Sequence, residues 1–173
     1  MSDKTALVII DAQVNMFEEG CSVFEGETLL QKLRRLIGLA RGASAPVVYV
    51  QNNGGEGDPD QPGTPGWQIH PDVAPLPGDL IIQKHSPDSF HETNLQDELA
   101  ACQMSGLVIA GMQTEMCIDA TCRRAHELGY EVTLVEDAHS TFDGALTAVQ
   151  TIAEYNDVLR KIIRLEKAAN VSF

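Results

Sequence analysis

The chain alternates short, mostly apolar runs with longer stretches in which apolar residues recur every three or four positions. Residues 6–10 (Ala-Leu-Val-Ile-Ile), 46–50, 80–83, 107–110 and 132–135 are runs of the first kind, and residues 161–165 form a weaker sixth. Such short runs lack the polar alternation of a half-solvated strand, so they predict strands buried on both faces. Between the first two, Leu29, Leu30, Leu33, Leu36, Ile37 and Ala40 fall at helical spacing, which predicts a helix over residues 27–41. Residues 93–104, 115–128 and 145–155 read as further helices, the middle one stopped by Gly129. Strands alternating with amphipathic helices predict an α/β domain: a three-layer αβα sandwich around a six-stranded, mostly parallel sheet. Residues 52–77, rich in Gly, Pro, Asp and Asn, carry no element. A loop of that length is either a lid or pocket wall, or a plain surface insertion.

Composition narrows the picture. The 173 residues suit one domain, 1–173, and its 43% hydrophobic content supports a buried core rather than disorder. The net charge of −13, from 25 acidic against 12 basic residues, disfavours nucleic acid and anionic membrane surfaces as partners. A small molecule is the partner expected instead. No apolar run approaches the ~20 residues of a membrane span. Residues 1–5 lead straight into the first strand without a signal-peptide layout, so a cytoplasmic protein is expected. The four cysteines, Cys21, Cys102, Cys117 and Cys122, form no C-x-x-C pair. In a cytosolic chain they are expected to be free and packed, unless one has reactive surroundings.

Open parallel sheets bind ligands beyond the carboxyl ends of their strands. Asp11 directly follows the first strand, Lys84 directly follows the third, and Cys117 lies just beyond the fourth, which ends at Gly111. Each has an ordinary reading by itself: a turn cap, a solvated charge, a packed filler. Together they place a thiol, an ammonium and a carboxylate on one edge of the sheet. An ammonium and a helix N-terminus both favour a thiolate. Thr114 is a suitable N-cap that would put Cys117 at the third helical position, with its backbone N–H free to stabilise an oxyanion. Asp11 could take the thiol proton and return it to a leaving amine.

Three segments, ALVIIDAQ (6–13), IQKHSPDSF (82–90) and GMQTEMCIDAT (111–121), resemble the isochorismatase-like cysteine hydrolase superfamily, which includes nicotinamidases, N-carbamoylsarcosine amidases and isochorismatases. The resemblance runs in order over nearly the whole chain, and the third segment is its most specific part. It implies a Rossmann-like sheet and an Asp–Lys–Cys triad at Asp11, Lys84 and Cys117. It also implies a non-proline cis peptide between Met112 and Gln113, with the N–H groups of Gln113 and Cys117 forming an oxyanion hole. The activity it implies is hydrolysis of a C–N bond in a small amide, ureide or carbamoyl compound through a thioester on Cys117. It further implies a homodimer or higher homo-oligomer, with a neighbouring chain able to edge the pocket.

Metal-bearing nicotinamidases carry an Asp-x-His motif and further histidines after the second strand. Here residues 51–60 hold no histidine, and Asp58, Asp60 and His70 are a thin substitute for a metal ligand set, so no metal or other cofactor is expected. Phe17, Trp67, Phe90 and Met116 are candidates for a pocket wall, with ordinary core packing as the competing reading for Phe90 and Met116. His85 and His91 read as loop residues, and Phe142 as a border of the site or of a subunit contact. Gly54-Gly-Glu-Gly57 lacks the ending of a phosphate-binding loop. Vinyl-ether hydrolysis of the isochorismatase type, or a non-catalytic binding protein on the same fold, are the competing functions.

Overall fold

A computed structural model describes residues 4–173. The strands are β1 (Thr5–Ile10), β2 (Phe17–Glu18), β3 (Cys21–Ser22), β4 (Val47–Asn52), β5 (Leu80–Lys84), β6 (Gly106–Met112), β7 (Glu131–Ser140) and β8 (Arg164–Glu166). The helices are α1 (Gly26–Gly42), α2 (Leu95–Ala101), α3 (Asp119–Glu127) and α4 (Ala148–Leu159). Six strands form one sheet in the order β5-β4-β1-β6-β7-β8, and every pairing in it is parallel. The short β2 and β3 make a separate antiparallel hairpin that the hydrophobic pattern did not signal.

The unbroken apolar runs are explained by two cores. Successive strand residues point to opposite faces. In β1, Leu7 and Ile9 pack with Leu29, Leu33, Leu36 and Ile37 of α1. Ala6, Val8 and Ile10 pack on the other face with Leu95, Leu99, Cys122 and Ala125 of α2 and α3. Each Leu or Ile so buried contributes about 1.5–3 kcal/mol of transfer free energy. The chain thus forms the expected three layers.

Element boundaries differ from the sequence reading where polar contacts take over from hydrophobic pattern. Residues 145–147 stay outside the last helix, because Thr147 and Gln150 form a capping box that starts α4 at Ala148. Strand β7 continues to Ser140 through five residues that include Glu136, Asp137 and His139. The sixth strand begins at Arg164 rather than Lys161. The helix expected over 115–128 is split into a π-helical turn, Thr114–Ile118, and α3. Thr114 is not its N-cap: its hydroxyl is hydrogen-bonded to His139 Nδ1 at 2.9 Å.

The long loop after β4 is tied to the sheet. Gln13, fully buried, donates from Nε2 to the carbonyls of Asn52 (2.9 Å) and Trp67 (3.0 Å), and its Oε1 accepts the Asn52 N–H at 2.8 Å. Gln51 Nε2 donates to the same Trp67 carbonyl at 2.8 Å. Among the described residues no helix is long and apolar enough to cross a membrane.

Gly111 of β6 lies opposite Ile10 of β1. Its φ is +127°, and a Cβ there would sit 2.1 Å from the Ile10 carbonyl oxygen. Gly129 also has a positive φ, +88°, but open space around it. Gly129→Ala is expected to cost about 1 kcal/mol of unfolding free energy, and Gly111→Ala about 3 kcal/mol or more, because strain and a backbone clash add. Urea unfolding of both variants checks this; equal losses would show that the strand ends are not in this close contact.

Candidate active site

The sheet order reverses between β1 and β6, and the crevice above that switch point gathers the three residues singled out by sequence. Asp11 leaves β1 in a left-handed conformation, φ +51°, with its N–H donated to the Val50 carbonyl at 2.9 Å. Lys84 ends β5, two strands away at the sheet edge. Its side chain is 0% exposed and reaches over the end of β4. The ammonium Nζ stands 3.1 Å from Asp11 Oδ2, 3.2 Å from Cys117 Sγ and 3.0 Å from Asn52 Oδ1. Cys117 sits in the π-helical turn, where the Met116 and Ile118 N–H groups both donate to the Gln113 carbonyl (3.2 and 3.1 Å), with Cys117 between them. The Met112–Gln113 peptide is cis.

Burial governs the charges. It is the largest influence on Asp11 and raises its carboxyl above the ordinary 3.8, although Lys84 pulls the other way. Burial alone would lower Lys84, but Asp11 and Cys117 outweigh it and hold the ammonium protonated, its pKa raised. Cys117 is pushed up to about 12 by burial and then by the Asp11 charge, with Lys84 opposing. Lys84 lowers the thiol pKa as expected, but burial and the Asp11 charge outweigh it. The residue sits in a π turn without the predicted cap, and a buried carboxylate lies beside it. Burial thus pushes Asp11 and Cys117 toward their neutral forms, while Lys84, held by both, is pushed toward its charged one.

A cleft of about 420 Å³ opens over Asp11 and Cys117. Gln113, Met116, Asn15, Met16 and His85 line it, together with Asp58, Pro59 and Asp60 from the long loop. Of the four residues expected in a pocket wall, Met116 alone lines it. Trp67 anchors the loop instead, its Nε1 donating to Asn53 Oδ1 at 2.8 Å. Phe17 packs on the α1-side core and meets His70 edge-on. Phe90 is buried in the opposite core and stacks on Tyr130. Phe142 lines a different hollow, with Leu146 and Tyr155. His91 is exposed near Glu92, whereas His85, read as a loop residue, borders the cleft.

Sequence reasoning missed Asn52. It closes β4, directly opposite Lys84 in the register, and the polar end of that strand was the signal available. Among the described residues no group of three or more His, Cys, Asp or Glu could hold a metal ion.

Residues 5–167 match the family described as Isochorismatase domain. Streptothricin hydrolase of Streptomyces noursei is 40% identical over 138 residues, covering 80% of this chain and 50% of that protein. The chain thus spans about half the length of that relative. An uncharacterised isochorismatase family protein of Bacillus subtilis, YddQ, is 39% identical over 140 residues, 79% of this chain and 78% of that one. The crystal structure of a putative isochorismatase hydrolase from Oleispira antarctica superposes with a TM-score of 0.92 at 32% identity, covering 98% of this chain and 96% of that one.

The charges around Cys117 give a signed expectation. Because Asp11 raises the thiol pKa and Lys84 lowers it, Asp11→Asn should shift the pH midpoint of Cys117 alkylation downward and Lys84→Met should shift it upward from about 12. Iodoacetamide labelling rates against pH, read on the Cys117 peptide by mass spectrometry, measure both; shifts of the opposite sign would disprove this electrostatic arrangement.

Proposed function

The chain belongs to the isochorismatase family, and on that premise we propose that it is a cysteine hydrolase that cleaves a C–N bond of a small amide, ureide or carbamoyl compound. The observation that carries this reading is the single buried ammonium, Lys84 Nζ, within 3.2 Å of both the Asp11 carboxylate and the Cys117 sulfur, two residues that line an open cleft. Streptothricin hydrolase, similar over 80% of this chain, is by name a hydrolase, which agrees with the proposal.

With the thiol pushed up to about 12, catalysis does not begin from a stored thiolate. Asp11 takes the Sγ proton as sulfur attacks the carbonyl carbon, and Lys84 balances the charge that passes from oxygen to sulfur. The C=O electron pair moves onto oxygen, where the backbone N–H groups of Gln113 and Cys117 are the proposed donors. When the tetrahedral intermediate collapses, the C–N bond breaks and Asp11 returns the proton to the departing amine. Water, deprotonated by Asp11, then attacks the thioester. The acid is released and the thiol reforms.

Asp11 must be ionised to act as base, and burial raises its pKa above 3.8. The acid limb of kcat/KM is therefore expected at higher pH than for an ordinary carboxylate. A panel of small amides, ureides and vinyl ethers tests the function. Turnover of the C–N substrates is expected to disappear in Cys117→Ala and to fall about 10²–10⁴-fold in Asp11→Asn. Rapid quenching should leave an acyl mass on the Cys117 peptide. Undiminished turnover in Cys117→Ala, or hydrolysis of the vinyl ethers alone, would refute the proposal.

A further inference from the structure

The turn that carries Cys117 is held from behind by a buried chain of hydrogen bonds. Thr114, 0% exposed, opens that π-helical turn. Its Oγ1 lies 2.9 Å from Nδ1 of His139, which is 3% exposed. His139 Nε2 lies 2.9 Å from Oδ1 of Asn156 on α4, and Asn156 Nδ2 donates to the Glu136 carbonyl at 3.0 Å. A carbonyl can only accept, so it fixes the orientation of the Asn156 amide. Asn156 Oδ1 is then an acceptor, the imidazole proton sits on Nε2, and Nδ1 accepts from the Thr114 hydroxyl. Burial is the largest influence on His139 and lowers its pKa below the ordinary 6.5, against Asn156, Asp137 and Glu136, which favours that neutral ring.

The backbone of β7 departs from a regular ladder to bring this chain to the site. Ile109 of β6 pairs with Leu134, but Gly111 pairs with His139, so β7 advances from 134 to 139 while β6 advances from 109 to 111. Irregularities of this kind re-aim side chains beside active sites. Two residues further on, the Thr141 hydroxyl donates to Glu115 Oε1 at 2.8 Å, so two consecutive residues of the π turn are anchored from the same strand end. Thr114 lies between Gln113 and Cys117, whose backbone N–H groups are the proposed oxyanion donors. Such donors act only when aimed at the place where charge develops, and a misplacement of about 1 Å can cost about 10²-fold in rate. Turns of the π type are rare and occur mostly at functional sites.

Resting on the hydrolase reading above, we propose that His139 and Asn156 are positioning residues for the reaction: through the Thr114 hydroxyl they hold the N–H groups of Gln113 and Cys117 at the spacing that receives the oxyanion. Neither is among the residues lining the cleft. Their effect falls on acyl transfer, in which the C=O electron pair moves onto oxygen. It does not fall on displacement at a saturated carbon, in which no oxyanion forms.

Two reactions of the same sulfur make the test. With p-nitrophenyl acetate, the thiol proton passes to Asp11, the S–C bond forms, the carbonyl pair moves onto oxygen, and p-nitrophenolate leaves as the intermediate collapses. With iodoacetamide, sulfur loses its proton in the same way and displaces iodide directly. Both are timed on the Cys117 peptide by mass spectrometry after rapid quenching. Thr114→Val, isosteric but without the hydroxyl, should slow acylation about 10- to 100-fold while alkylation stays within a few-fold of wild type. Thr114→Ser, which keeps the hydroxyl, should recover most of the acylation rate. Asn156→Leu, half-buried on α4, should act in the same direction and carries the comparison if Thr114→Val does not fold. Gly129→Ala, a destabilised control beyond α3, should leave the ratio of the two rates as it was. Nitrogen-15 NMR should show a neutral His139 ring protonated on Nε2 in the wild type, and a changed tautomer balance in Asn156→Leu. A ring protonated on Nδ1, or acylation and alkylation that fall together, would overturn the inference. Acylation left intact by Thr114→Val and Asn156→Leu would sink the inference alone. Wild-type Cys117 that alkylates but never acylates would sink the hydrolase reading and the inference with it.

Discussion

The site depends on one buried ammonium. Lys84 Nζ touches a carboxylate, a sulfur and an amide oxygen while its side chain is closed to water. An isolated charge in such a place would neutralise itself, because desolvation penalises the charged form. Here Asp11 and Cys117 reverse that tendency, and Lys84 stays charged. The ammonium in turn opposes the burial that raises Asp11 and Cys117. The three groups are a coupled unit, and their proton affinities belong to the set rather than to any single residue.

The fold supplies what that unit requires. Parallel pairing aligns the ends of β5, β4, β1 and β6, so that Lys84, Asn52, Asp11 and Gly111 fall along one edge. Two hydrophobic cores cover the sheet from both sides. Gly111 lets β6 approach β1 at the point where the chain turns toward Cys117. The buried Gln13 then fixes Asn52 and Trp67 together, which holds the long loop over the site. Asp60, on that loop, is joined through Asn52 to Lys84, so the cleft wall and the Asp11–Lys84–Cys117 cluster share one hydrogen-bonded network.

Such a network has an energetic cost that its geometry explains. Among the described residues, a buried oxygen of Asn15 has no hydrogen-bond partner, and Asp58 and Asp60 join no ion pair. A structure optimised for stability alone would fill or pair these positions. Unfilled hydrogen-bonding capacity inside a concave site is where a ligand gains affinity, because binding satisfies groups that folding left open.

The amino-acid sequence by itself determined the layers and the three polar groups that meet at one sheet edge. Mostly apolar strands require cover on both faces, which makes a parallel α/β sheet the economical fold, and such a sheet sends Asp11, Lys84 and Cys117 to one edge. Tertiary structure decided the rest, because it turns on distances between residues far apart in the chain. Trp67 and Phe90 are aromatic in either role, and only packing shows that one anchors a loop and the other fills a core. The Thr114 hydroxyl is engaged by His139, which is 25 positions away, and does not cap the turn. The raised pKa of Cys117 depends on how deeply the thiol and Asp11 are buried together, and no local pattern encodes that depth.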